Sequence, residues 1–178
     1  MKRSPLASLV ALLAASASLS AQALLADIHP GIDTSFSSAI GGLTASANGK
    51  VWFVADDLIH GAELWISDGT TGGTRMVVDY TPGPSGTAFT ALSAIGNSAI
   101  FVHFGALWAV DSTTQSVTRL SPTDATFNGY GITVEGSLAF FGLWTPALGE
   151  ELWCTDGTPA GTRVVVDLAP GTSSSNPR

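Results

Sequence analysis

The groups with the widest chemical reach in this 178-residue chain are fourteen acidic side chains, three histidines and one cysteine. Paired carboxylates cleave a glycoside only when two of them flank the scissile bond at a set separation. Such a pair interrupts a repeat instead of following it. Here the acids follow one. Residues 61–79, GAELWISDGTTGGTRMVVD, return 88 positions later as 149–167, GEELWCTDGTPAGTRVVVD. Glu63 and Glu151, Asp68 and Asp156, and Asp79 and Asp167 are matched members of the two copies, and Glu135 lies in a turn. Asp56–Asp57 and Glu150–Glu151 are adjacent acidic pairs, read as lying in the same inter-strand loop of two units. They are where calcium would sit, but no DxDxDG loop is present, so no metal is expected. His29, His60 and His103 fall at different places in their units, and neither HExxH nor a His/Cys cluster occurs, so no zinc site is expected. Cys154 aligns with Ile66 and Ala109, which makes it a small buried apolar group without a base beside it. A single cysteine excludes an intrachain disulfide. There is no Gly-rich phosphate loop, and no cofactor is expected.

The elements behind these residues are short strands. A third, weaker copy, GALWAVDSTTQSVTRL (105–120), lies between the other two. Its Leu107–Trp108 matches Leu64–Trp65 and Leu152–Trp153. Its Arg119 lies 44 residues from both Arg75 and Arg163, which sets a period of 44. Upstream of each copy come a short strand, a turn at Gly49, Gly96 or Gly136, and a more apolar strand centred on Phe53, Phe101 or Phe140. Four antiparallel strands per unit at this period predict a β-propeller blade. The runs VWFVA and AIFV are continuously apolar, as expected of strands covered on both faces. The predicted fold is therefore all-β and propeller-like, with three four-stranded blades of about 44 residues forming an incomplete ring.

Asp68–Gly69–Thr70 and Asp156–Gly157–Thr158 join two strands. Asp accepts N–H groups of the turn it begins, and Gly supplies a positive φ. Gly73–Thr74 and Gly161–Thr162 close the loop. Arg75, Arg119 and Arg163 follow Asp68, Asp111 and Asp156 by 7, 8 and 7 residues, so hairpin-spanning Asp–Arg pairs are expected. Trp65, Trp108 and Trp153 recur once per unit and predict packing between blades, each ring contributing about 2–3 kcal/mol. Trp144 has no counterpart in the other units and is the aromatic most available for a ligand.

ELWISDGTTGGT and ELWCTDGTPAGT resemble the repeats of the bacterial ELWxxDGT family. That resemblance implies an exported or surface protein of tandem propeller-like units, and it carries no catalytic role. The middle copy departs from the pattern, with Asp111–Ser112–Thr113–Thr114 in place of DGTxxGT. More distantly, the DGT turn is similar to the Asp-box of sialidase propellers, where the Asp shapes the blade rim away from the chemistry.

Lys2–Arg3, an apolar stretch over 6–17 and small residues ending at Ala21 or Ala23 have the layout of a cleaved secretory signal, residues 1–23. The segment 24–40 contains ADIHPG (26–31), which matches the ends of the later units. Repeats then occupy 41–178, at about 41–87, 88–127 and 128–171 followed by a tail. Export to the periplasm, cell surface or medium is expected. Removal of 1–23 leaves five basic against fourteen acidic residues, a formal charge of −9, so no nucleic-acid partner is expected. No later stretch is long enough to span a bilayer. The reading from sequence is a non-catalytic scaffold for an unnamed protein or glycan, completed head to tail by self-association or a further repeat-bearing chain. A glycan-acting hydrolase and a calcium-binding surface module stand as alternatives.

Overall fold

The computed structural model describes residues 43–129 and 131–178. The expected signal segment, the linker with ADIHPG, and His29 lie outside the described residues. The described chain has no helix, and therefore none long and apolar enough to cross a membrane. Among the described residues, twelve strands form three four-stranded antiparallel sheets, each a meander of consecutive strands. Blade 1 comprises β1 (Thr44–Ala47), β2 (Lys50–Asp56), β3 (Ala62–Ser67) and β4 (Arg75–Val78). Blade 2 comprises β5 (Phe89–Ile95), β6 (Ser98–His103), β7 (Ala106–Asp111) and β8 (Val117–Arg119). Blade 3 comprises β9 (Thr133–Glu135), β10 (Leu138–Thr145), β11 (Gly149–Thr155) and β12 (Arg163–Val166). The first strands follow one another in space, β1 against β5 and β5 against β9, so the blades line an arc like staves. No sheet closes on itself, and the arrangement is an incomplete propeller.

The side-chain alternation of each strand divides every blade into two faces. One core joins blades 1 and 2. Trp52, Leu64, Ile66 and Val77 meet Ala94, Ala99, Phe101 and Val110, with Trp108 packed alongside. The other joins blades 2 and 3. Ile100, Val102, Leu107 and Ala109 meet Ala139, Phe141, Leu143 and Trp153, with Ala125 and Phe127 of the connecting segment filling between. Blade 2 is thus covered on both sides, which is why its β6 reads as an unbroken apolar run. Trp108 and Trp153 each face the preceding blade, as expected of inter-blade packing. Trp65 is half-buried and donates its indole N–H to the Ala55 carbonyl at 3.1 Å.

Two alignments differ from the sequence reading. Trp65, Trp108 and Trp153 pair across strands with Phe53, Phe101 and Phe141, so the counterpart in blade 3 is Phe141 and not Phe140. Arg75 and Arg163 lie opposite Ile66 and Cys154, whereas Arg119 lies opposite Trp108, one position out of step. A one-residue slip sends a side chain to the other face, and Arg119 accordingly stacks its guanidinium over the Trp108 ring at 5.8 Å. The cause is the turn. The DGTxxGT loops of blades 1 and 3 each bring a register shift at Leu64/Trp65 and Leu152/Trp153. Blade 2 has a tighter hairpin and no shift. The 44-residue period is an average of unequal blades.

Candidate functional site

The DGTxxGT motif builds one closed hydrogen-bond circuit, and builds it twice. Asp68 Oδ1 accepts the Thr70 N–H at 3.0 Å and the Thr70 hydroxyl at 2.7 Å. Thr70 Oγ1 accepts the Gly73 N–H at 3.0 Å, and the Thr74 hydroxyl donates to the Thr70 carbonyl at 2.7 Å. Ser67 Oγ lies 2.7 Å from Thr74 Oγ1 and accepts the Gly69 N–H. In blade 3, Asp156, Thr158, Gly161, Thr162, Thr155 and Gly157 repeat these bonds with distances within 0.1 Å. Gly69 and Gly157 sit at φ +87° and +91°. Gly73 and Gly161 are required for a different reason: a Cβ at either would collide with the carboxylate of Asp68 or Asp156. The degenerate turn keeps a looser version, with Asp111 Oδ1 accepting the N–H groups of Thr113 and Thr114 at 2.8 Å each and the Thr114 hydroxyl at 3.2 Å, and Thr114 Oγ1 accepting the Ser116 N–H at 3.3 Å. Bonds from the Thr70 and Thr158 hydroxyls and N–H groups hold the Asp68 and Asp156 carboxyls below the usual Asp value, and the Thr114 and Thr113 N–H groups do so for Asp111.

The expected Asp–Arg pairs do not form. Oδ1 of each Asp is taken by donors of its own turn, and each arginine bonds elsewhere. Arg75 donates to the Ser112 carbonyl of blade 2 at 2.6 Å. Arg119 donates to the carbonyls of Ser121, Pro122 and Thr123. Arg163 donates to Cys154 Sγ at 2.7 Å. Among the described residues, the ion pair that does form is His60–Asp57 at 2.7 Å. Cys154 is buried at the place of Ile66, as its alignment suggests.

Glu63 and Glu151 are fully buried. Each holds the segment that leaves its blade. Glu63 accepts the N–H groups of Tyr80 and Thr81 and the Thr87 hydroxyl at 3.1, 3.2 and 2.8 Å. Glu151 accepts the N–H groups of Leu168 and Ser175 and the Ser175 hydroxyl at 3.0, 3.1 and 2.6 Å. Tyr80 and Leu168, and Thr87 and Ser175, are again 88 apart, a signal the sequence carried and the motif-level reading missed. Burial pushes the Glu63 carboxyl up against the pull of its donors. At Glu151 the bonds from Ser175 and Leu168 outweigh burial and draw it down. Blade 2 has Ala106 where the glutamate would be. There the chemistry is inverted: Arg119 grips the carbonyls of the departing segment, and Ser121 Oγ accepts the Leu107 N–H.

Glu150–Glu151 lie inside β11 and not in a loop. Glu150 accepts from Asn128 at 3.0 Å, while Asp56 and Asp57 cap the turn at 58–60. Among the described residues no three His, Cys, Asp or Glu side chains converge on a point that could hold a metal. The β2–β3 and β6–β7 connections, equivalent ends of two blades, carry Leu58, Ile59 and Phe104, exposed at 63%, 67% and 88%. Leu58 and Phe104 hold φ of +67° and +47°, uncommon for such side chains. The His103 ring lies 4.2 Å from that of Phe104 and 4.9 Å from that of Tyr80. These tips are exposed apolar side chains carried on a sheet scaffold.

No family model matches the chain, and no curated protein does. Among solved structures it is similar to AtxE2 isopeptidase in its apo form, at a TM-score of 0.54 and 11% identity over 73% of this chain. A ligand-bound variant of that enzyme gives 0.51 at 12% identity over 72%. A puromycin hydrolase aligns over 73% of the chain at 0.38 and 17% identity, too loosely to support an argument. The chain spans 21% of the AtxE2 structures, and at these identities the likeness is one of fold alone.

Proposed function

We propose that the chain is an exported, non-catalytic repeat protein whose propeller-like blades act as a binding scaffold for a protein or glycan. One observation carries this reading: Glu63, Asp68, Asp111, Glu151 and Asp156 are hydrogen-bonded to the backbone and hydroxyls of the fold itself. Asp68, Asp111 and Asp156 each commit Oδ1 to donors of their own turns, and Glu63 and Glu151 commit both oxygens to the segments that lead out of the blades. Oxygens held in this way serve the turns and the departing segments, which supports a structural role for these side chains over general-base work. The exposed tips at Leu58, Ile59 and Phe104 supply the contact surface. A glycan array and a generic panel of glycoside, ester and peptide substrates, run on one preparation, test the proposal. Binding without turnover is the expected result. Saturable turnover removed by one carboxylate substitution would overturn it in favour of a hydrolase.

A further inference from the structure

Building on the scaffold reading, we infer that the face of blade 3 turned away from blade 2 is a docking face for blade 1 of a second copy of this chain, so that copies join head to tail. The molecule contains its own reference for that face. An offset of 88 takes Trp52, Leu64 and Val77 to Phe140, Leu152 and Val165. In blade 1 these positions meet blade 2 and are 0%, 0% and 1% exposed. In blade 3 Phe140 and Leu152 are half-buried and Val165 is 45% exposed. Leu168, at the place of Tyr80, is 62% exposed. Strand alternation puts Trp144, 38% exposed, on the same face as Phe140, which accounts for the tryptophan without a repeat partner. Pro177 already lies over this face beside Gly142, at the place where Phe89 starts the next blade.

The occupant is fixed by what covers the same face inside the molecule. Blade 2 presents the cross-strand pair Phe101–Trp108 to blade 1, with Ala99 two positions along. Blade 1 carries Phe53–Trp65 in the same register, with Val51 at the place of Ala99. Val51 is 45% exposed and Trp65 half-buried, while Phe53 is 7% exposed. The polar rim agrees. Arg75 reaches across to the Ser112 carbonyl of the next blade, while its counterpart Arg163 has turned back onto Cys154. The two faces are different and complementary, so the contact is heterologous, and closure depends on the angle between blades.

Sedimentation equilibrium of the purified protein tests this. The wild type is expected at twice the chain mass in the micromolar range. Val165→Glu blocks one face and Val51→Glu the other. Burying an unpaired charge should raise the dissociation constant by about tenfold or more for each. Each variant alone should run as a monomer, and an equimolar mixture should regain a dimer, because each partner keeps one intact face. Leu168→Glu, in an exposed segment, serves as a second blocking variant if Val165→Glu does not fold. A wild-type monomer at all concentrations overturns the inference, as does a Val51→Glu protein that still dimerises, or a mixture that does not. None of these results touches the non-catalytic reading, which stands or falls on turnover.

Discussion

Replacing Glu63 tests whether the glutamate of the repeat is a structural anchor. Its Oε1 accepts the Thr81 N–H and the Thr87 hydroxyl, and its Oε2 accepts the Tyr80 N–H. Glu63→Gln can keep the first two, but its amide nitrogen then faces the Tyr80 N–H, donor against donor. A buried donor left without an acceptor costs about 1–3 kcal/mol. Glu63→Ala strands all three donors and leaves a void, for about 3–5 kcal/mol. Thr87→Val removes the bond to the charged acceptor together with the Thr87–Thr81 hydroxyl contact, and should cost about 1.5–3 kcal/mol. With a urea slope of about 2 kcal/mol/M, Glu63→Ala lowers the unfolding midpoint by about 1.5–2.5 M and Glu63→Gln by about 0.5–1.5 M. The double variant Glu63→Ala/Thr87→Val should cost less than the sum of its parts, since both substitutions remove the same bond. A Glu63→Ala protein with a wild-type midpoint, or strict additivity with Thr87→Val, would refute the reasoning.

Other outcomes follow from the turns. Gly73→Ala should destabilise by about 1–3 kcal/mol through overpacking, because its Cβ meets the Asp68 carboxylate, whereas Gly72→Ala, with nothing within 4 Å, should be near neutral in thermal melts. Asp68 and Asp156 have folded pKa values below the ordinary 3.8, so their contribution is complete above that pH and is lost as pH falls through the folded value. Asp68→Asn/Asp156→Asn should therefore flatten the acid limb of a melting-temperature profile and leave its neutral limb parallel to wild type.

The fold was legible because its signals are local and periodic. Asn48–Gly49 marks a hairpin at φ of +50° and +71°, and the apolar run of β6 announces a strand covered on both sides. What was not legible depends on register or on distance along the chain. In LAFFGLW either phenylalanine satisfies the alternation, and only pairing with Trp153 selects Phe141. Asp and Arg seven apart across a hairpin look like an ion pair until Thr70 is seen on Asp68 Oδ1 and Arg75 on the Ser112 carbonyl. Arg119 matches Arg75 in number but not in face, because the shorter turn of blade 2 slips it by one residue. The bonds from Thr87 to Glu63 and from Ser175 to Glu151 span 24 residues, and nothing in a single unit points to them. Comparison of the two copies beyond the motif would have found them.

The central claim is that the repeated residues serve architecture and not chemistry. Its most direct test is the double variant Asp68→Ala/Asp156→Ala, with melting temperature and ligand binding measured on the same sample. The account predicts a lower melting temperature from the loss of both turn acceptors, with binding retained wherever the protein is folded. An unshifted melting curve accompanied by loss of binding, or by loss of a turnover seen in the wild type, would contradict it.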